Sequence, residues 1–172
     1  MKSIIGIQKK ETIDTAQALL NGHLVVLPTE TVYGLAADAF NRNALTKLYE
    51  VKQRPRSHPV IIHISNKDYI YELAINIPKY AIDFATFFWP GPLTLILKKS
   101  NLVNDLVSGG QDTVAIRIPN QEIVLQILGK FSDFGGKGLA IPSANIFGSA
   151  SPTSVQQARI ALKDKVKDIY QL

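Results

Sequence analysis

Two pairs of polar side chains, each pair two residues apart, offer the clearest chemistry in this sequence. Lys52 and Arg54 lie in Lys52-Gln53-Arg54-Pro55-Arg56-Ser57-His58-Pro59, and in an extended segment their side chains share one side. They can then close on a single polyanion, with Arg supplying a bidentate fork to phosphate oxygens and Lys a compact point charge. Lys47, Arg56, His58 and His63 add to this basic region, and Glu50 is the acid that faces it. A solvated charge run is the plain alternative, against which the two prolines count, because a stiff loop loses less entropy on gripping a ligand. The second pair, Ser143 and Asn145 in Pro142-Ser143-Ala144-Asn145, presents a hydroxyl and an amide suited to phosphate or ribose oxygens.

A third polar corner runs Pro28-Thr29-Glu30-Thr31-Val32-Tyr33-Gly34. Its two hydroxyls and carboxylate can hydrogen-bond a small polar substrate with Tyr33 as a wall, or can equally form a turn in which the hydroxyls bond their own backbone. Arg117 is the lone charge in Val114-Ala115-Ile116-Arg117-Ile118, so it either meets an internal carboxylate or points into a ligand cavity, the cavity being the slightly favoured reading. His63 in Val60-Ile61-Ile62-His63-Ile64 poses the same question, as a core histidine or a substrate contact.

Several chemistries are excluded. The chain has no Cys, which removes disulfides, thiolate nucleophiles and Cys-ligated metals, and three His residues are too few for a histidine-rich metal centre. Gly135-Gly136-Lys137-Gly138 invites a phosphate-loop reading but lacks the Walker spacing and its Ser or Thr, since Leu139 follows. No Rossmann fingerprint, nucleophile elbow or zinc-protease motif is present.

The elements that must position these residues follow from apolar runs and their breakers. A helix capped by Thr12 runs through Ala16, Leu19 and Leu20 to Gly22, and a strand Leu24–Leu27 stops at Pro28. Further helices are predicted over Asn43–Val51, from Asp68 to Leu73, over Lys79–Phe88 with Ile82, Ala85 and Phe88 inward, over Glu122–Leu128 and from Ser154 to Leu162. Strands are predicted over Val60–Ile64, Leu93–Leu97, Thr113–Ile118 and Leu139–Ile141. Strands alternating with helices predict an α/β sheet, of mixed or purely parallel direction. Each polar segment then sits at a strand end, where open α/β sheets place ligands.

A chain of 172 residues with 46% hydrophobic and 19% charged residues is expected to fold as one domain over residues 1–172. The segment Met1 to Lys10 lacks a signal-peptide pattern and no run is long enough to span a membrane, so a cytoplasmic protein is expected. The net charge of +5 suits an anionic ligand or nucleic acid.

At these residues the chain resembles the YrdC/Sua5 family of threonylcarbamoyl-adenylate synthases. The matching pieces are Leu27-Pro28-Thr29-Glu30-Thr31-Val32-Tyr33-Gly34-Leu35, Lys52-Gln53-Arg54-Pro55 with Pro59 and the strand to His63, Trp89-Pro90-Gly91-Pro92-Leu93-Thr94, Thr113 to Pro119, and Pro142-Ser143-Ala144-Asn145 with Gly148, all in the family's order. The resemblance implies a YrdC/RibB-like fold, a twisted mixed sheet flanked by helices around a deep basic cavity. It implies synthesis of L-threonylcarbamoyl-adenylate and pyrophosphate from L-threonine, bicarbonate or CO2, and ATP, with Mg2+ carried on the triphosphate. Other proteins, a transferase complex, then pass the threonylcarbamoyl group to adenosine 37 of tRNA. By the same likeness Lys52 and Arg54 are catalytic and bind ATP together with His58, Thr113, Ser143 and Asn145, whereas Thr29, Thr31, His63 and Arg117 hold threonine and carbamate. Replacing Lys52 or Arg54 is expected to cost orders of magnitude in rate with the fold intact.

Most relatives carry Asn where His58 stands, so a nucleotide contact is expected to differ here. The chain ends at Leu172, before a final glycine turn and Ser-Thr strand found in many members, so a naturally short version, a truncated one and a paralogue of shifted activity are the alternatives, and the second domain of longer members is expected to be missing. An RNA-binding module, recognised by salt-sensitive affinity without pyrophosphate release, and a carbamoyl-adenylate paralogue indifferent to threonine are the competing readings.

Overall fold

The computed structural model describes residues 4–162 and 170–171, with side chains described from residue 11 to residue 162. Of the N-terminal segment read for a targeting sequence, only the backbone from Ile4 falls within this range. The elements are α1 (Ile4–Leu20), β1 (Val25–Pro28), β2 (Tyr33–Asp38), α2 (Arg42–Lys52), β3 (Ile61–His63), α3 (Ile70–Leu73), α4 (Lys79–Phe88), β4 (Leu95–Lys98), α5 (Asp105–Ser108), β5 (Thr113–Arg117), α6 (Glu122–Asp133), β6 (Leu139–Ala140), α7 (Val155–Leu162) and β7 (Tyr170–Gln171). Among the described residues the strands form one sheet in the order β4-β5-β3-β6-β2-β1-β7. The pairs β3–β5 and β1–β7 are parallel and the others antiparallel, so the sheet is mixed.

Local chemistry explains most boundaries. The Asn41 Oδ1 accepts from the N–H groups of Asn43 and Ala44, both at 3.1 Å, and starts α2. Gln53 ends that helix in the left-handed conformation at φ 51°, its N–H returning to Glu50 and Tyr49 carbonyls. In α6, Val124, Ile127, Leu128 and Phe131 recur at helical spacing and are buried as one stripe.

Four expectations are corrected. β2 falls in a stretch with no predicted strand: Tyr33-Gly34-Leu35-Ala36-Ala37-Asp38 has no β-branched residue, and only pairing to β1 and β6 makes it one. Thr12 is not a helix cap but lies buried inside α1, which begins upstream where nothing breaks it. In α4 the inward positions are Ala81 and Ala85, while Phe88 is exposed and Ile82 is half-buried. Asn66, not Asp68, caps the turn before α3, its Oδ1 accepting from the Asp68 N–H at 2.6 Å.

The sheet's two faces are covered unequally. One face packs under α2 to α5 in a large cluster that includes Leu48, Ile62, Ile70, Ala85, Val114 and Ile116. On the other, α1 and α6 cover Val25, Leu27, Ala36 and Leu139 of β1, β2 and β6. Cross-strand partners share a face, so Leu139, His63 and Arg117 in a row lie on this second side. Toward the β4 edge its cover runs out: Thr113, Ala115 and Arg117 alternate as half-buried residues with buried Val114 and Ile116, and Ile96 and Lys98 are exposed. The polar side chains of β5 therefore border an open stretch of sheet, while His63 of β3 beside them stays buried.

Candidate active site

Lys52, in the last turn of α2, is 1% exposed. Its Nζ donates to the Asn145 carbonyl at 2.6 Å and also to the Ser143 carbonyl, while its own carbonyl accepts from the Phe147 N–H at 2.8 Å. Both ends of the residue are thus tied to the segment after β6. Burial, with the Arg54 charge adding to it, brings the Lys52 pKa down to about 8. The expected grouping of Lys52 with Ser143 and Asn145 exists, but it is made by their backbone carbonyls. The Asn145 amide instead donates to the carbonyls of Ile146 (2.9 Å) and Ser149 (2.7 Å), leaving its buried Oδ1 without a partner. Lys52 thus also satisfies one buried and one part-buried carbonyl, a structural contact beside the role expected of it from sequence.

The same segment is fixed to β2. Gly34 bridges to Ser143, the Leu35 N–H donates to Pro142 O at 2.8 Å and the Ala144 N–H to Tyr33 O at 2.7 Å. A Cβ at Gly34 would lie 2.4 Å from the Ile141 Cγ2, so glycine is what lets the two chains approach.

Arg54 turns back on its own loop. Its Nε donates to His58 O at 3.2 Å and its Nη2 to Pro59 O at 2.9 Å. The Tyr49 hydroxyl lies 2.8 Å from both His58 O and Leu106 O, pinning the loop to the segment carrying α5. His58 is exposed, and its ring meets Phe147 edge-on with centroids 4.9 Å apart. Arg56 and Ser57 line a separate cavity of about 360 Å³ with Arg42, Asn104 and Asp105, so the basic loop divides between two surfaces.

On the open face, the Arg117 Nε donates to Gly91 O at 3.0 Å and its Nη2 to the Glu30 carboxylate at 2.7 Å. Arg117 is thus paired with a carboxylate, but with Glu30 at an exposed turn and not with one in the interior. The same Glu30 oxygen accepts from the Asn120 N–H at 2.6 Å. Burial raises the Glu30 pKa, but the N–H groups of Asn120 and of Glu30 itself and the Arg117 charge outweigh it and hold the carboxyl below its ordinary value. His63, beside Arg117 in register, is 5% exposed, and its Nδ1 has no partner. Burial first and the Arg117 charge second bring its pKa down to about 4, so the ring is neutral near pH 7.

Thr29 takes the plainer of its two readings: its hydroxyl donates to Val32 O at 2.6 Å and accepts from the Thr31 and Val32 N–H groups, forming a local turn. Thr31 is exposed at its tip. Thr113 stands at the other end of β5 from Arg117, about 13 Å along a strand of that length, with its hydroxyl 3.4 Å from Gln111 Oε1. The structure thus assembles Lys52, Arg54, His58, Ser143 and Asn145 in one group, and buried His63 with Arg117 and Glu30 in another; the start of β2 bonds the Pro142–Ala144 segment and the turn before it carries Glu30. Tyr49 and Phe147 were not assigned roles from sequence. Glu30, read there as a possible substrate contact of the polar corner, instead pairs with Arg117.

A family model described as "Telomere recombination", covering the Sua5, YciO and YrdC proteins, matches residues 17–171. A threonylcarbamoyl-AMP synthase of Vibrio parahaemolyticus is 33% identical over 87% of this chain and 80% of its own length. The chain belongs to the Sua5/YciO/YrdC family. Another relative, the threonylcarbamoyl-AMP synthase of Pyrococcus abyssi, is 45% identical over 86% of this chain. The crystal structure of P. abyssi Sua5 complexed with L-threonine superposes with a TM-score of 0.87 at 42% identity over 94% of the chain. The chain spans under half the length of these two proteins, 42% and 46% respectively. The mixed sheet with flanking helices is accordingly the fold of the Sua5/YciO/YrdC family.

Proposed function

We propose that this chain acts as a YrdC-like domain that forms L-threonylcarbamoyl-adenylate and pyrophosphate from L-threonine, CO2 or bicarbonate, and ATP. The observation that carries the reading is the arrangement of a buried Lys52, tied to the Ser143–Asn145 segment, at one end and a half-buried Arg117 beside His63 on the uncovered sheet at the other. Likeness to threonylcarbamoyl-AMP synthases along most of the chain supports it.

The amine of threonine adds to CO2, losing a proton, to give a carbamate. A carbamate oxygen attacks the α-phosphorus of MgATP, the new P–O bond forms as the bond to the β-phosphate bridging oxygen breaks, and pyrophosphate leaves. Lys52 and Arg54 neutralise charge shifting toward the leaving group, with His58, Thr113, Ser143 and Asn145 around the nucleotide in the basic cavity expected of the family. Arg117 attracts a carboxylate or carbamate, neutral His63 offers a hydrogen bond without a competing charge, and Thr29 and Thr31 close that end. Mg2+ arrives bound to the triphosphate of ATP. The product suits a cytoplasmic transferase complex that modifies tRNA adenosine 37, and no described helix is long and apolar enough to cross a membrane.

The test is incubation with ATP, magnesium, bicarbonate and radiolabelled threonine. Threonine-dependent pyrophosphate release with a labelled adenylate is expected. Release without threonine in the presence of carbamoyl phosphate would favour the carbamoyl paralogue, and no release with salt-sensitive RNA affinity would favour the RNA module.

A further inference from the structure

We propose that Phe147 is a positioning residue for the nucleotide: its ring holds the Arg54 guanidinium in the pose that meets the triphosphate. This rests on the reading of Arg54 as an ATP contact given above.

The ring lies 5.4 Å from the Arg54 Cζ, within the range where an aromatic face attracts a cation. Its place is not left to side-chain packing alone. The Phe147 N–H bonds to Lys52 O, and the Lys52 ammonium bonds back to Ser143 and Asn145, so the backbone that carries the ring is locked to the helix end that launches Arg54. The His58 ring, edge-on at 76°, closes a further side of Phe147. The phenyl group is nonetheless 40% exposed, so it adds little to the core, and neither hydrophobic core cluster includes it.

Arg54 also donates to two backbone carbonyls of its own loop, from Nε to His58 O and from Nη2 to Pro59 O, which hold one edge of the guanidinium. The Phe147 ring meets the same group through its aromatic face and takes up none of its N–H donors, so the remaining donors stay available to phosphate oxygens. Arg54 is half-buried, which places the contact between bulk water and the interior, where such attractions are worth more than at an open surface.

The test compares Phe147→Ala, Phe147→Leu and Phe147→Trp for ATP affinity by calorimetry without threonine, and for KM and kcat toward each substrate. Alanine and leucine should both weaken ATP binding by about three- to thirtyfold, with the threonine KM unchanged and tryptophan restoring ATP affinity to within about twofold. In an Arg54→Ala background, Phe147→Ala should add nothing to the loss of ATP affinity. Wild-type ATP affinity in the leucine variant would overturn the proposal, because simple apolar contact would then suffice. A full additional loss on top of Arg54→Ala would overturn it too. A wild-type chain that binds ATP but makes no adenylate overturns the proposed reaction, while the three variants still decide the Phe147 role through ATP affinity. Failure of the wild-type chain to bind ATP overturns both.

Discussion

Glu30 and Arg117, 87 residues apart in the chain, form a 2.7 Å ion pair at the uncovered face of the sheet. The pair is one edge of a small network in which the carboxylate also takes the Asn120 N–H and the guanidinium also reaches Gly91 O. The turn after β1, the loop after α4 and the end of β5 therefore meet at a single charge pair. Each partner is about one-fifth exposed, enough water to moderate the attraction and too little to solvate Arg117 on its own.

Replacing Glu30 by Gln should cost about 1–3 kcal/mol in urea unfolding, the usual range for charge-assisted hydrogen bonds losing their charge. The folded-state pKa of Glu30 lies below its ordinary value, so this stabilisation is present above pH 4.5 and is lost as pH falls through the lowered value. Wild type and variant should converge in stability at the acid end of a pH series. Unchanged denaturation midpoints at pH 7 would show that the pair holds nothing in place.

Lys52 and Arg54 should separate in their effects. Lys52→Met leaves one buried and one part-buried carbonyl without this donor and should lower stability by about 1–3 kcal/mol as well as abolish adenylate synthesis. Arg54→Ala removes contacts to carbonyls of a surface loop and should cut the rate by orders of magnitude with a thermal midpoint close to wild type. Thermal melts alongside pyrophosphate assays would check the division, and equal loss of stability in the two variants would contradict it.

The lowered Lys52 pKa predicts proton uptake on nucleotide binding. Near pH 8.5 much of the free protein's Lys52 is neutral, since its pKa is about 8, and a bound triphosphate raises that value again. ATP titrations in buffers of different ionisation enthalpy should show uptake at pH 8.5 that fades toward pH 7 and is absent in Lys52→Met. Without ATP, the unfolded chain binds more protons than the folded one from about pH 8 to 10.5, so stability rises with pH across that window.

His63 gives a slope at the other end of the scale. Its pKa of about 4 lies below the ordinary 6.5, so between these values the unfolded state binds the extra proton and stability falls as pH drops from 6.5 to 4. His63→Gln, neutral throughout, should flatten this slope in denaturant midpoints measured from pH 7 to 4. A variant with the same acid sensitivity as wild type would assign the loss elsewhere.

Taken alone, the sequence determined the elements whose signals are local. The helical spacing read over Asn43–Val51 falls within α2, and Lys79–Phe88, stopped by the prolines that follow it, coincides with α4. The residue types of the site were also readable, since Lys52, Arg54, Ser143 and Asn145 lie in short segments just outside apolar runs. Tertiary structure alone decided what depends on partners distant in the chain. Ala- and Gly-rich β2 exists because β1 and β6 flank it, and the inward side of α4 is set by what packs beneath it. Lys52 is buried because Ser143 and Asn145 carbonyls, more than ninety positions away, accept its protons. Arg117 is paired because a turn near residue 30 folds across to it. Propensity and capping act within a few residues and leave marks in composition, whereas desolvation and pairing depend on where distant segments come together.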